Sequence, residues 1–271
     1  MECERGGARG RPARAVHFGL GRMWARIVGI SFRVTMSASG PRIIFPRSPM
    51  PRSPIRRPAN GLALARWLRR PDDLPPILSS GELFGNDLPL QLEIGSGKGL
   101  FLSNAAAADP RRNFVGIEIA AKYAAHAAAR LAKRDATNAL VIAGDAGPLV
   151  RDRVATASVD AVHVYFPDPW WKKKHRRRRV LNSQTVPEIH RVLRPGGHFH
   201  FWTDVLEYFE ATIELVADIC PGLGVPFPEP ETDPTHDLDY RTHFERRSRR
   251  EGTPVYRVRY EKRSAPSRLG L

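Results

Sequence analysis

From residue 88 onward the chain alternates short apolar runs with stretches of helical spacing, and this alternation limits its fold more than any other feature. Leu90–Ile94 is an apolar run that ends in Gly95-Ser96-Gly97-Lys98-Gly99 and gives way to a helix-like stretch over Leu100–Ala108. Asn113–Glu118 has strand character and leads into an alanine-rich helical stretch, Ile119–Arg134. Ala139–Ala143 and Val159–Phe166 are predicted as the third and fourth strands. Val186–Leu193 shows helical spacing, Pro195-Gly196-Gly197 is expected to end it, and His198–Thr203 is predicted as a fifth strand. Strand–helix units of this length form an α/β fold, a doubly wound and mostly parallel sheet with helices on both faces. Such sheets bind ligands beyond the carboxyl ends of their strands. Here an acid stands at or just after each of those ends: Glu93, Glu118, Asp145, Asp168 and Asp204. A purely structural sheet has no use for that placement.

The glycine turn selects among ligands. A dinucleotide fingerprint has the form G-x-G-x-x-G and seats a pyrophosphate on a helix N-terminus. This turn is Glu93-Ile94-Gly95-Ser96-Gly97-Lys98-Gly99. A carboxylate ahead of the first glycine repels phosphate and suits a cation, such as the sulfonium and ammonium groups of S-adenosylmethionine. Glu118 closes the second strand 25 residues later, in position for ribose hydroxyls, and Asp145 follows the third strand, in position for the adenine amino group.

Residues 166–179 carry the second signal: Phe-Pro-Asp-Pro-Trp-Trp-Lys-Lys-Lys-His-Arg-Arg-Arg-Arg. Proline fixes its own φ and restrains its predecessor, so Asp168 is expected in a stiff, non-helical turn at a strand end. Seven Lys and Arg in the eight residues 172–179 follow two tryptophans. A charge run alone is equally well a solvated loop. A locked carboxylate with flat aromatics and cations beside it suits chemistry on a nucleic-acid base. His175 fits a phosphate contact or a spacer better than a base. Either Trp170 or Trp171 suits stacking on an extruded base, and each equally suits packing under the loop.

Charge is unevenly spread. Residues 1–70 hold 15 Lys and Arg against 2 Asp and Glu (+13), whereas residues 71–271 hold 28 against 26 (+2). The folded part is therefore nearly neutral, with its cations gathered at 172–179 and at Arg246, Arg247, Arg249 and Arg250, the pattern of a directed polyanion site. Cys3 and Cys220 are the only cysteines, which excludes a disulfide framework and a cysteine metal site; a reducing cytoplasm is the expected compartment. No His, Cys and acid cluster suggests a metal. Residues 1–80 hold 10 of the 24 prolines and many arginines without sustained apolar period, so a basic, disordered extension with non-specific RNA affinity is expected there. The apolar stretch Met23–Phe32 is interrupted by Arg26 and is too short for a membrane span. A transit peptide, or a start at Met36 or Met50, are alternative readings of this segment.

In order along residues 88–262, the motifs Leu-Glu-Ile-Gly-Ser-Gly-Lys-Gly, Phe-Val-Gly-Ile-Glu, Gly-Asp-Ala, Phe-Pro-Asp-Pro-Trp, Leu-Arg-Pro-Gly-Gly, Trp-Thr-Asp and Thr242-His243-Phe244-Glu245 resemble the tRNA (guanine-N7-)-methyltransferase family. The resemblance implies a Rossmann-like, seven-stranded methyltransferase domain over residues 81–264, followed by a short tail at 265–271. It implies methyl transfer from S-adenosylmethionine to guanine 46 of the tRNA variable loop. Position by position, it implies cofactor contacts at Glu93, Gly95, Gly97, Glu118, Asp145 and Asp168, with Asp168 also the catalytic acid. Substrate contacts are implied at Lys172, Asp204, Thr242, His243, Phe244 and Glu245, and RNA contacts at Lys174, His175, Arg176, Arg177, Arg178 and Arg179. His243 departs from the Lys or Asn frequent in the family at that place. The expected partner is tRNA, with neither membrane nor obligate protein partner. Three rivals are disfavoured. An adenine-N6 methyltransferase would carry two consecutive prolines, a nicotinamide oxidoreductase would not have the Glu93 loop, and a decayed RNA-binding scaffold would have lost strand-end acids.

Overall fold

The structure, a computed structural model, describes residues 64–170, 173–230 and 240–264. The expectations for residues 1–63 and 265–271, and for Trp171 and Lys172, lie outside the described residues. Eight strands form one sheet: β1 (Leu68–Arg69), β2 (Leu90–Ile94), β3 (Asn113–Glu118), β4 (Ala139–Ala143), β5 (Val159–Tyr165), β6 (Leu193–Thr203), β7 (Phe227–Pro228) and β8 (Tyr256–Glu261). Their spatial order is β1-β4-β3-β2-β5-β6-β8-β7. Ladders from β1 to β6 are parallel, and β8 runs antiparallel to both β6 and β7. Among the described residues seven α-helices accompany them: α1 (Ser80–Phe84), α2 (Leu100–Ala108), α3 (Ala121–Ala132), α4 (Ala146–Arg153), α5 (Thr185–Val192), α6 (Leu206–Ile219) and α7 (His243–Arg250).

Every residue of β3 and β5 is buried. Strands covered on both faces read as near-continuous apolar runs rather than alternating ones. The runs at 114–117 and 161–165, the second broken by His163, stand out in the sequence for that reason. Strand order reverses between β2 and β5, so the crevice beyond the carboxyl ends of those strands is the topological switch point. The glycine turn leaves β2 there and the Pro-Asp-Pro turn leaves β5.

The sheet has eight strands, where seven were expected. The additional strand is β1, from a segment assigned on sequence to the disordered extension. Leu68 pairs with Val141 and Arg69 with Ile142 along the edge of β4. The Trp67 indole donates to the Ala136 carbonyl at 2.7 Å, and its ring packs on the core of Leu102, Ala106, Phe114, Leu131 and Val141. Two residues carry no periodicity, and the strand exists because β4 offers an open edge. Residues 64–80 therefore belong to the folded body. Pro195-Gly196-Gly197 does not end a helix as expected. The helix stops at Val192, and these residues form the irregular first part of β6, whose register against β5 shifts between Val159 and Ala161. A Cβ at Gly197 would stand 2.8 Å from the Arg194 carbonyl oxygen, so only glycine fits this bulge.

Candidate active site

The turn after β2 takes left-handed backbone at Gly95, Gly97 and Gly99, with φ of 79°, 53° and 69°. The three glycines do different work. A Cβ at Gly99 would lie 2.6 Å from Ala127 Cβ, so this residue lets α3 close against the turn. A Cβ at Gly95 or Gly97 would meet nothing within 4 Å, because both face open space at the switch point. Glu118 holds the turn from β3: one carboxylate oxygen accepts from the Gly97 amide at 2.8 Å, the other from the Ala120 amide at 2.9 Å. A carboxylate has about four acceptor positions, so the ribose-binding expectation and this structural duty are compatible. Asp145 caps α4 by accepting from the Gly147 amide at 3.0 Å and is otherwise exposed at the crevice rim.

Glu93 is 4% exposed, and its Oε2 has no hydrogen-bond partner. Burial, aided by the neighbouring Glu118 charge, pushes its carboxyl up to about 8. An unpartnered buried carboxyl beside an open glycine cradle is a site that a cation completes. The sulfonium and ammonium of S-adenosylmethionine have the charge that such a site requires.

Beyond β5, Phe166 and Trp170 both adopt left-handed backbone, with φ of 49° and 45°. Such residues cost on the order of 1–3 kcal/mol each and persist where surrounding structure imposes them. Between them Pro167, Asp168 and Pro169 present the exposed Asp168 carboxylate. The Phe166 amide donates to the Trp202 carbonyl at 2.8 Å, and its ring packs with Phe101, Tyr165 and Trp202. Arg179 closes the turn from the other side by donating to the Pro169 carbonyl at 2.8 Å. Its guanidinium lies 4.5 Å from the centre of the Tyr208 ring. Burial pushes the Tyr208 hydroxyl up to about 12, and the Asp168 charge adds to the rise.

The basic run forms a 3-10 turn, Lys173–Arg178. Lys174, Arg177 and Arg178 are exposed, and the Arg178 guanidinium covers the Trp170 ring at 5.2 Å. His175 meets the Trp170 edge at 5.9 Å. Arg176 is in the turn, and its side chain lies outside the described residues. Arg179 does not join this exposed set, contrary to the expectation that it contacts RNA. At 7% exposure it points into the fold.

Helix α7 borders the same crevice. Thr242 caps it by accepting from the Glu245 amide at 3.0 Å. Glu245 was expected to touch substrate, but it is 2% exposed, paired with Arg257 at 3.3 Å and accepting from the Arg241 amide at 2.8 Å. It anchors the helix instead. Asp204, exposed just after β6, accepts from the Ser248 hydroxyl of α7 at 3.3 Å. His243 lies 3.3 Å from the Arg130 guanidinium. Burial, then the charges of Arg130, Arg246 and Lys98, lower its imidazole to about 4. Phe244 is 56% exposed and its ring stacks on Phe166 at 6.0 Å and 18°. An exposed aromatic face therefore sits beside the Asp168 turn. Under α7, a layer with no sequence signal joins Gln91, His163, Tyr165 and Arg241 through contacts of 2.8, 2.9 and 3.1 Å. It seats Arg241, and through it the Thr242 cap. Among the described residues no helix is long and apolar enough to cross a membrane, and no group of three or more His, Cys, Asp or Glu is placed to hold a metal.

The pattern of a family described as "Putative methyltransferase" matches residues 87–258. Among solved structures, an antibiotic-related methyltransferase is similar with a TM-score of 0.47 at 16% identity, over 69% of this chain and 95% of that one. A doubly wound sheet carrying an acid-led glycine cradle at its switch point, with that family match, defines an S-adenosylmethionine-dependent methyltransferase. A tRNA (guanine-N(7)-)-methyltransferase of Rhodopirellula baltica is 58% identical over 246 residues, covering 88% of this chain and 90% of that protein. Its namesake in Saccharophagus degradans is 36% identical over 187 residues, covering 67% of this chain and 79% of its own length. The chain belongs to the tRNA (guanine-N(7)-)-methyltransferase family.

Proposed function

We propose that this protein methylates N7 of a guanine in tRNA, guanine 46 of the variable loop, with S-adenosylmethionine as donor, in the cytoplasm. The observation that carries this reading is the exposed Asp168 carboxylate, held in a strained Pro-Asp-Pro turn at the switch point. Bound S-adenosylmethionine supplies an electrophilic methyl group on sulfur. Guanine N7 offers a lone pair and no proton, so no general base is required before attack. The protein's tasks are to extrude the base, align N7 with the methyl group and accommodate the positive charge that arrives on the purine. Asp168 accepts hydrogen bonds from the N1–H and 2-amino groups on the edge remote from N7. That fixes the angle of approach, and its negative charge stabilises the developing purinium. The exposed Phe244 ring beside it offers a stacking face for the extruded base. Asp204, Thr242 and His243 border the same crevice and take the remaining substrate contacts, with His243 neutral at physiological pH.

Lys174, Arg177 and Arg178 present cations to the phosphates flanking the target, and His175 supports them through Trp170. Phosphate contacts position without reading sequence, so choice of one guanine rests on tRNA shape and on which base can be unstacked. The test is a pair of tRNA transcripts differing only at position 46. Guanine at that position should support transfer of labelled methyl and adenine should not. Equal labelling of both transcripts would reject the position, while leaving the reaction type to be read from the product.

A further inference from the structure

We infer that Arg179 is a positioning residue for Asp168 and not one of the tRNA phosphate contacts, although it ends the most basic run of the chain. The inference rests on the reading of Asp168 above. Four arginines in succession look alike in sequence, but the turn separates them. Arg177 and Arg178 are exposed while Arg179 is 7% exposed. Its guanidinium is held from three directions: Nε donates to the Pro169 carbonyl at 2.8 Å, the plane lies 4.5 Å from the Tyr208 ring centre, and a terminal nitrogen reaches Glu207 at 3.5 Å. Its own carbonyl accepts from the Asn182 side chain at 2.9 Å, which fixes the backbone from which it reaches.

The turn it holds is poorly able to hold itself. Prolines at 167 and 169 bring no amide donors, and the residues on either side, Phe166 and Trp170, are in left-handed backbone. One anchored carbonyl next to Asp168 therefore controls where the carboxylate points. That anchor is tied to Glu207 and Tyr208 in the first turn of α6. A fork-shaped, always-charged donor stacked on an aromatic ring is not replaced by an ammonium. A phosphate contact would tolerate lysine.

Arg179→Lys is the discriminating change, measured in the full chain with unmodified tRNA transcript and labelled S-adenosylmethionine. The expected result is a fall in kcat on the order of 10²-fold, the scale of a small misplacement of a reacting group. KM for tRNA, the salt dependence of tRNA binding and the affinity for S-adenosylmethionine should stay at wild-type values. In an Asp168→Ala background, single-turnover rates should show no further loss on adding Arg179→Lys, because both changes act through one carboxylate. Wild-type kcat for Arg179→Lys, or a raised KM with a flattened salt slope, would overturn the inference. So would full additivity with Asp168→Ala, or a variant that circular dichroism shows unfolded at the lowest assay temperature. If Asp168→Ala itself stays active, the reading of Asp168 fails first. If it is inactive while Arg179→Lys is normal, only the role of Arg179 fails.

Discussion

At the scale of single residues, two carboxylates in opposite surroundings carry the account. Asp168 is exposed and Glu93 is buried without a partner for Oε2. Asp168→Ala should lower methyl transfer by on the order of 10²-fold or more, the usual loss when one transition-state contact is removed. Melting temperature and tRNA affinity should be nearly unchanged; retention of more than about a tenth of the rate contradicts the assignment. Glu93 makes a pH prediction. Its carboxyl is raised from 4.5 to about 8, so between those values the native ligand-free protein holds a proton that the unfolded chain has lost. Stability contributed by this group is present below the lower value and is lost as pH rises through the upper one. Glu93→Gln should therefore flatten the decline of melting temperature from pH 5 to pH 8, while weakening S-adenosylmethionine binding. A steeper decline, or unchanged binding by calorimetry, contradicts it. The strand-end acids were legible in the sequence because a strand end fixes where its acid stands. Arg179 and Glu245 were not, since nothing in a run of like residues, or in a motif letter, says which side chain turns inward.

At the scale of elements, the glycine turn separates packing from binding. Gly99→Ala should lower stability sharply, because its Cβ would stand 2.6 Å from Ala127 Cβ in α3 at a φ of 69°. Gly97→Ala meets nothing within 4 Å. It should cost only about 1–2 kcal/mol for its left-handed backbone, yet lose S-adenosylmethionine affinity because the methyl enters the cradle. Equal melting temperatures for the two variants would contradict this division. The 3-10 turn makes a second prediction: Lys174→Ala combined with Arg177→Ala should raise KM for tRNA. The pair should also flatten the slope of log K on log salt by about 0.7–0.9 per lost phosphate contact, with melting temperature unchanged. The positions of β2 to β5 were legible because each carries a short, largely apolar buried run, whereas α4 and the first residues of β6 were not named from the sequence. Strands β1 and β7 were not, being two residues each and dependent on a neighbouring edge.

At the scale of the whole molecule, the basic excess of the sequence lies mostly ahead of residue 71, and the described residues begin at Leu64. Residues 1–70 carry +13 and residues 71–271 carry +2, and Lys174, Arg177 and Arg178 are exposed cations beside the Asp168 turn. Removal of residues 1–63 should leave specific activity near wild type. Removal through residue 80 takes away β1 and the Trp67 side chain packed on the core, and should lower the melting temperature by several degrees. Identical melting curves for the two truncations would show that β1 contributes nothing to the fold. Unmodified bulk tRNA incubated with the protein and methyl-labelled S-adenosylmethionine, then digested to nucleosides, should carry its label in 7-methylguanosine. Label in any other nucleoside, or none with protein that binds both substrates, would contradict the account.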